Sequence, residues 1–283
     1  MKEKLLFFVL FFLLTFLVSI NGIPFVEVPA TLNESLVEIS VFKINEKVII
    51  RVNVSDTEND VQYVWLNLTA SNGTLVLINE LMTNTSIACG ENCSVWEKNY
   101  TIAGGEPAGT WVINVTANDT SGNTASNSTT FNVSKYIELT ISQALIEGIS
   151  FGLVNPGTVG KPALNNSGLP NGGTQYNLTL GTSSNVNADF YHRINETHSS
   201  IYINESSSRT SELEGFSSNT TLSSEWKIMG NSSVNCSAIF PGNSCWVRYF
   251  IDVEQGTSSQ YFERRYCFCA VYEGGDYSLC GYC

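Results

Sequence analysis

The chain is short of charge. Only 14% of its 283 residues are Asp, Glu, Lys or Arg, against about a quarter in an ordinary soluble domain, and Asn, Ser and Thr stand in their place. The shortage is sharpest among the bases, with 14 Lys and Arg against 26 Asp and Glu and a formal net charge of −12. Nucleic acid is excluded as a partner, because phosphate backbones are held by clustered Lys and Arg and no such cluster is present. The acidic balance names no partner; its ordinary effect is solubility. Histidine is scarcer still: His192 and His198, in FYHRINETH, are the only two. No Ser or Cys sits in a recognisable nucleophile motif. Both histidines are expected on the surface of a strand and its turn, and the chain is expected to be no enzyme. Carboxylate pairs for glycoside chemistry are a tertiary property, set by a separation of roughly 5 to 9.5 Å.

Hydrophobic residues are abundant first at the N-terminus. Lys2 and Lys4 precede an unbroken apolar run, Leu5 to Ile20, with Asn21 and Gly22 after it. This is the layout of a secretory signal peptide over residues 1–22. An uncleaved anchor is the alternative, since the run nearly reaches the roughly 20 residues that span a bilayer and Ile20 is a poor third residue before a cleavage site. A prepilin leader calls for Gly after Lys or Arg ahead of the apolar run, but Lys4 is followed by Leu5. Without residues 1–22 the chain keeps 12 basic and 25 acidic residues, a net charge of −13.

Asparagine is the most informative residue. N-x-S/T acceptors fall at Asn33, Asn53, Asn67, Asn72, Asn84, Asn92, Asn99, Asn114, Asn118, Asn127, Asn132, Asn165, Asn177, Asn195, Asn204, Asn219, Asn231 and Asn235, 18 in all. Chance pairing of Asn with Ser and Thr at this composition gives roughly 6, so the excess is threefold. Placement adds weight, because Asn53, Asn67, Asn114, Asn132 and Asn177 each fall between two apolar residues of a strand pattern, on the outward face. A glycan needs an exposed amide nitrogen. The alternative is that these residue types are simply frequent on polar β-surfaces.

The clearest structural stretch is Gly109 to Ala125, GTWVINVTANDTSGNTA. Trp111, Ile113, Val115 and Ala117 recur at period two, with Asn114, Thr116 and Asn118 on the opposite face. Asp119 to Asn123 supplies a turn in which Gly122 is free to take positive φ, and Ser126 to Val133 returns as a second strand. Ahead of it, Leu36 to Lys43, Lys47 to Val54, Val61 to Thr69, Gly73 to Asn79 and Ser94 to Ile102 are expected strands. Seven or eight short strands in about 110 residues is the spacing of an Ig-like sandwich. The Gly-Thr-Trp, alternating Val/Thr, Asp-x-x-Gly-Asn pattern resembles the closing hairpin of bacterial and archaeal Ig-like and PKD-type surface modules, over residues 36–134. That resemblance implies holding, spacing and binding rather than catalysis.

After a boundary at Ser134 to Tyr136 the pattern changes. Gly152, Pro156, Gly157, Gly160 and Pro162 exclude long helices early in the second half. Ile137 to Ile141, Tyr176 to Leu180, Ala188 to Arg193, Ser200 to Asn204, Glu225 to Met229, Cys245 to Val253 and Gln260 to Val271 are expected strands of a second β-sandwich-like domain, residues 136–283. Ser150 to Thr158 and Gln175 to Asp189 are similar to the opening of TasA- and camelysin-type filament and matrix proteins. The expected fold is therefore all-β: a signal segment, an extended leader over residues 23–35, and two β-sandwich domains in tandem.

The eight cysteines divide by locality as two, two and four, which predicts pairing within each group. Cys89 with Cys93 closes a tight loop. Cys236 with Cys245 flanks Pro241-Gly242-Asn243 and pins two hairpin arms, for about 2.5 to 3 kcal/mol by chain entropy. Among the last four, nested pairing of Cys267 with Cys283 and Cys269 with Cys280 is preferred, since antiparallel partners keep nearly constant index sums. A four-thiolate zinc or redox site is the alternative, permitted by the spacing of Cys280 and Cys283 and disfavoured by the secretory context. No cofactor is expected. Calcium is the weak exception: Asp56, Glu58, Asp60 and Asp119 lie in two turns that can meet at one end of the sandwich, although acids in turns serve the backbone equally well.

Three functional classes follow. The favoured one is a structural or adhesive component of a prokaryotic, archaeal-type cell envelope or extracellular filament, whose partners are itself or other surface proteins and glycans. The membrane enters only if residues 1–22 stay attached. The second is an extracellular carbohydrate- or protein-binding module, in which Trp226, Trp246, Tyr249 or Tyr202 offers a flat face to sugar rings, although strand aromatics more often serve the core. The third is a glycan-active enzyme. Pro24 to Thr31, with Phe25, Val26 and Val28, is a candidate to add to an open sheet edge of a neighbouring subunit.

Overall fold

The computed structural model describes residues 26–27, 41–56, 59–166, 173–258 and 262–281. The signal segment, most of the leader, Asn33, Glu58 and Cys283 lie outside them.

Nine strands build the first sandwich: β1 (Val26–Glu27), β2 (Val41–Phe42), β3 (Lys47–Ser55), β4 (Val61–Thr69), β5 (Leu75–Leu81), β6 (Thr83–Gly90), β7 (Cys93–Thr101), β8 (Gly109–Asp119) and β9 (Thr124–Val133). One sheet runs β1-β3-β7-β6 and the other β2-β9-β8-β4-β5. These are the A-B-E-D and G-F-C-C′ orders of an Ig-like sandwich, with β2 laid parallel beside β9. Period-two alternation makes the sandwich close. Val48, Ile50, Val52 and Val54 of β3, Val64, Leu66 and Leu68 of β4, and Trp111, Ile113, Val115 and Ala117 of β8 are all buried in one cluster. Each fully buried large apolar side chain contributes about 1.5 to 3 kcal/mol. Trp111 sits at the centre, its ring 5.7 Å from Phe131 and 6.1 Å from Tyr100. Its indole N–H donates to the Pro107 carbonyl at 2.9 Å, so the polar atom of the aromatic is satisfied on burial. The β8–β9 turn holds Gly122 at φ 84°, and the Asp119 carboxylate accepts from the Asn123 backbone N–H and amide, both at 2.8 Å.

The differences from expectation are local. Of Leu36 to Lys43, Val41–Phe42 is strand and residues 36–40 lie outside the described residues. Val26 and Glu27 pair with Val54 and Asn53 of the same chain; the rest of Pro24 to Thr31 lies outside the described residues. β5 begins and ends two residues later than expected, and β6 was not expected at all. Its sequence, TNTSIACG, has no alternation and is almost wholly exposed, so only its hydrogen bonds to β7 define it.

The second sandwich comprises β10 (Leu139–Ile141), β11 (Lys161–Pro162), β12 (Tyr176–Leu180), β13 (Ala188–Ile194), β14 (Ile201–Ser208), β15 (Thr220–Thr221), β16 (Lys227–Ile228), β17 (Ser244–Val253) and β18 (Tyr266–Tyr272), with a five-residue helix α1 (Gln143–Glu147). One sheet runs β10-β12-β17-β14-β15, with β11 also on β17, and the other is β16-β13-β18. Tyr176, Leu178, Leu180, Phe190, Val247 and Tyr249 form the core between them. β14 runs four residues past its expected end, because Ser206, Ser207 and Ser208 are buried polar residues that no apolar pattern marks. The segment after it covers them: Ser207 N–H donates to Ser217 Oγ and Ser208 Oγ to the Glu214 carbonyl.

Hydrogen bonds tie the two sandwiches together. The Asn185 side chain donates to the Ser134 carbonyl at 2.9 Å and accepts from Tyr136 N–H at 2.7 Å. Gly105 N–H donates to the Ser183 carbonyl at 3.0 Å.

Candidate functional site

The acceptor asparagines are distributed over the strands and turns of both sandwiches. Asn53, Asn67, Asn114, Asn132 and Asn177 each stand between two buried neighbours and point outward. Asn72, Asn84, Asn92, Asn99, Asn114, Asn127, Asn132, Asn195 and Asn219 are exposed, while Asn53, Asn67, Asn118, Asn165, Asn177, Asn231 and Asn235 are half-buried. Asn204 differs from the other described acceptors in being buried. It is 8% exposed, its amide donates to Asp252 at 2.6 Å and its oxygen accepts from Thr221 Oγ1 at 2.7 Å. Both polar atoms of that side chain are engaged within the folded chain.

Among the aromatic residues considered for sugar contact, Tyr249 is fully buried and is removed from that role. It shares the buried face of β17 with Val247 and Ile251. Tyr202 is half-buried, and its hydroxyl donates to the Ser199 carbonyl and meets Glu254. Trp246 is half-buried on the outer face of β17, opposite Asn177 and Ser208. Trp226 is half-buried just before β16, under the Arg193 guanidinium.

His192 is no surface residue. It is 4% exposed and lies on the core face of β13, in step with Phe190 and Ile194. Its Nδ1 is 2.9 Å from the Tyr266 hydroxyl and its Nε2 is 3.7 Å from Oε1 of Glu205. Glu205 comes from β14 in the opposite sheet, is fully buried, and accepts the Gly230 N–H at 2.7 Å. Burial, then the Lys227 charge, pulls His192 down to about 3. Burial pushes Glu205 up to about 7, offset in part by the Gly230 bond. Both directions favour a neutral pair. Glu205 Oε2 has no partner among the described residues. His198 is half-buried and stacks edge-on with Phe262 at 5.7 Å.

The two acidic turns do meet. Thr120 Oγ1 donates to the Asp60 carboxylate, Thr120 N–H donates to the Asp60 carbonyl, and Val61 faces Asp119 across the sheet. The carboxylates serve the turns: Asp56 accepts Asp60 N–H and Asp119 accepts Asn123. The Thr120 and Asp56 contacts hold Asp60 below the usual carboxylate range. Among the described residues no three His, Cys, Asp or Glu side chains are grouped as metal ligands; Glu58 lies outside them.

Three disulfides are present among the described residues. Cys89–Cys93, Cys236–Cys245 and Cys269–Cys280 have Cα separations of 5.1, 5.8 and 5.7 Å, all within the range that bridging requires. Cys267 is also disulfide-bonded.

Sequence reasoning missed the outer face of the β16-β13-β18 sheet. There the Tyr191 and Tyr277 rings lie 5.9 Å apart, tilted by 40°, and the Arg193 guanidinium carbon stands 4.9 Å from the centre of the Trp226 ring. The alternation of β13 places Tyr191 and Arg193 outward, but the return of Trp226 and Tyr277 from distant loops leaves no local signal. A shallow concavity of about 250 Å³ adjoins this sheet, lined by Lys135, Ile137, Ala270, Val271, Tyr272 and Leu279.

No protein-family model matches the chain, and no curated protein sequence matches it. Among solved structures it is similar to a GspB Siglec domain, with 13% identity and a TM-score of 0.28 over 49% of this chain and 67% of that one. It is also similar to a carbohydrate-binding module of the β-sandwich superfamily described for promiscuous specificity, with 11% identity and a TM-score of 0.27 over 89% and 97%. A third likeness is to an Escherichia coli alpha-2-macroglobulin activated by porcine elastase, with 10% identity and a TM-score of 0.26 over 84% of this chain. The match spans about a fifth of that protein, 20%. At these identities and scores the likenesses bear on neither ligand nor role.

Proposed function

We propose that the chain is a secreted, N-glycosylated, non-enzymatic component of the cell surface, contributing structure or adhesion to an envelope or extracellular filament. The observation that most supports it is the alternation of acceptor asparagines with buried core residues along β3, β4, β8, β9 and β12. A surface with so little charge is kept soluble and protease-resistant by glycans in those positions. Disulfides on short hairpins fit an oxidising exterior, and the hydrogen-bonded junction of the sandwiches fits a spacer that holds its ends in fixed relation. Among the described residues no helix is long and apolar enough to cross a membrane. The test is negative-stain microscopy of the protein recovered from its own cells, with glycans intact and no reductant. Filaments, sheets or regular oligomers are expected, and a monodisperse particle would contradict the structural role.

A second role, as a binding module, is favoured by one specific observation, the stacked aromatic and cationic side chains on the outer face of the β16-β13-β18 sheet.

A further inference from the structure

On β13 the core takes Ala188, Phe190, His192 and Ile194. Tyr191 and Arg193 point the other way, about 7 Å apart along the strand. Each is held against a second flat group. Tyr277 is 52% exposed and opens a 3-10 turn, Tyr277–Leu279. The Asp276 carboxylate caps that turn by accepting from Ser278 N–H and Oγ. The next residue, Cys280, is bonded to Cys269, which faces Tyr191 across the sheet. The disulfide and the cap therefore fix Tyr277 over Tyr191 before any ligand arrives, which reduces the entropy lost on binding. At the other end of the strip the Arg193 guanidinium carbon lies 4.9 Å from the Trp226 ring centre, within cation–π reach.

Arg193 is the chemically unfinished member. Its Nε–H is buried and has no acceptor among the described residues, so a ligand would meet the guanidinium through its two terminal nitrogens. A planar guanidinium fork matches a carboxylate with two parallel hydrogen bonds. Among the described residues Arg193 has no ion-pair partner, on a chain of net charge −12. The Asp189 and Asp276 charges lie near Tyr191 at the opposite end, which disfavours an anionic group there. Sugar rings offer apolar C–H faces to aromatic side chains, and a few placed polar groups set their orientation. The strands of this sheet carry no N-x-S/T acceptor, and the nearest one in sequence, exposed Asn195, follows β13 directly.

We infer that the strip formed by Tyr277, Tyr191, Arg193 and Trp226 binds an acidic oligosaccharide of the hexuronic-acid type. Sugar rings lie on the aromatic faces and one carboxylate lies on the Arg193 fork. The inference rests on the binding-module role proposed above and names its ligand class.

The test titrates the disulfide-intact protein with a galacturonic acid tetramer, its carboxyl-reduced neutral counterpart and an acidic peptide of equal charge, following tryptophan fluorescence. The acidic tetramer is expected to give a saturable change that Trp226→Phe abolishes, with at least tenfold weaker binding of the neutral tetramer and the peptide. Arg193→Gln is expected to lower affinity for the acidic tetramer about tenfold and leave affinity for the neutral one unchanged. If that variant fails to fold, Arg193→Lys keeps the charge without the fork and is expected to lose affinity similarly. Equal binding of both tetramers, a peptide that binds as tightly, or an Arg193→Gln variant that binds as the parent does would overturn the inference. Binding of the neutral tetramer alone contradicts the acidic class and leaves the binding-module role standing. No binding of either sugar at millimolar concentration contradicts both.

Discussion

His192 Nε2 lies 3.7 Å from Glu205 Oε1, and the two side chains come from opposite sheets of the second sandwich. A buried histidine and a buried glutamate thus face each other across the interior of the second sandwich. Tyr266 and Tyr249 stack edge-on at 5.3 Å beside them, and the Glu205 charge helps push both phenols well above their ordinary range, after burial itself.

The pair makes the pH dependence of stability a sum of two opposed effects. Glu205 is raised from 4.5 to about 7, so its contribution is fully present below pH 4.5 and is lost as pH rises through 7. His192 is lowered from 6.5 to about 3, so its contribution is present above pH 6.5 and is lost as pH falls toward 3. Glu205→Gln removes the first effect alone. Its stability relative to the parent is expected to rise between pH 4.5 and 7, by at most about 3 kcal/mol. Urea unfolding at pH 4.5, 6 and 8 checks this; parallel profiles would show that Glu205 does not titrate as buried.

Trp111 carries the first sandwich. Trp111→Ala is expected to cost about 3 to 5 kcal/mol, from lost burial and the cavity left against Phe131. Asn114→Ala, on the outward face of the same strand, is expected to change stability by no more than about 0.5 kcal/mol. Denaturant midpoints of the two variants, compared at constant slope, decide between a packed core and a loose one.

The Cys236–Cys245 bridge closes a separation of nine residues and the Cys89–Cys93 bridge one of four. Replacing both cysteines of the first by Ala is expected to cost about 2.5 kcal/mol, and of the second about 2 kcal/mol, by chain entropy. Both hydrophobic cysteines of the first bridge are fully buried, so the larger loss falls on the second sandwich. Thermal unfolding of the two double variants, without reductant, measures the difference.

What the sequence made legible was whatever alternated. Val48 to Val54, Val64 to Leu68 and Trp111 to Ala117 announce their buried faces because every second residue is apolar and the sheets bury one side. β6 and the end of β14 were invisible for the opposite reason: TNTSIACG is an exposed edge, and Ser206 to Ser208 are buried by a covering loop. His192 was legible in principle, since Ala188, Phe190, His192 and Ile194 share one face; its polarity argued for the surface and the core's partner for it, Glu205, was unseen. Asn204 satisfies the acceptor pattern but lies between Ile203 and Glu205, where outward placement depends on which loop covers the sheet. Arg193 and Trp226 are 33 residues apart and meet only through the fold.

The most direct measurement is glycopeptide mass spectrometry of the protein purified from its own cells. Glycans are expected on exposed acceptors such as Asn99, Asn114 and Asn132, with Asn204 unmodified. Unmodified asparagine at all of the exposed acceptors would contradict the proposal of an N-glycosylated cell-surface component.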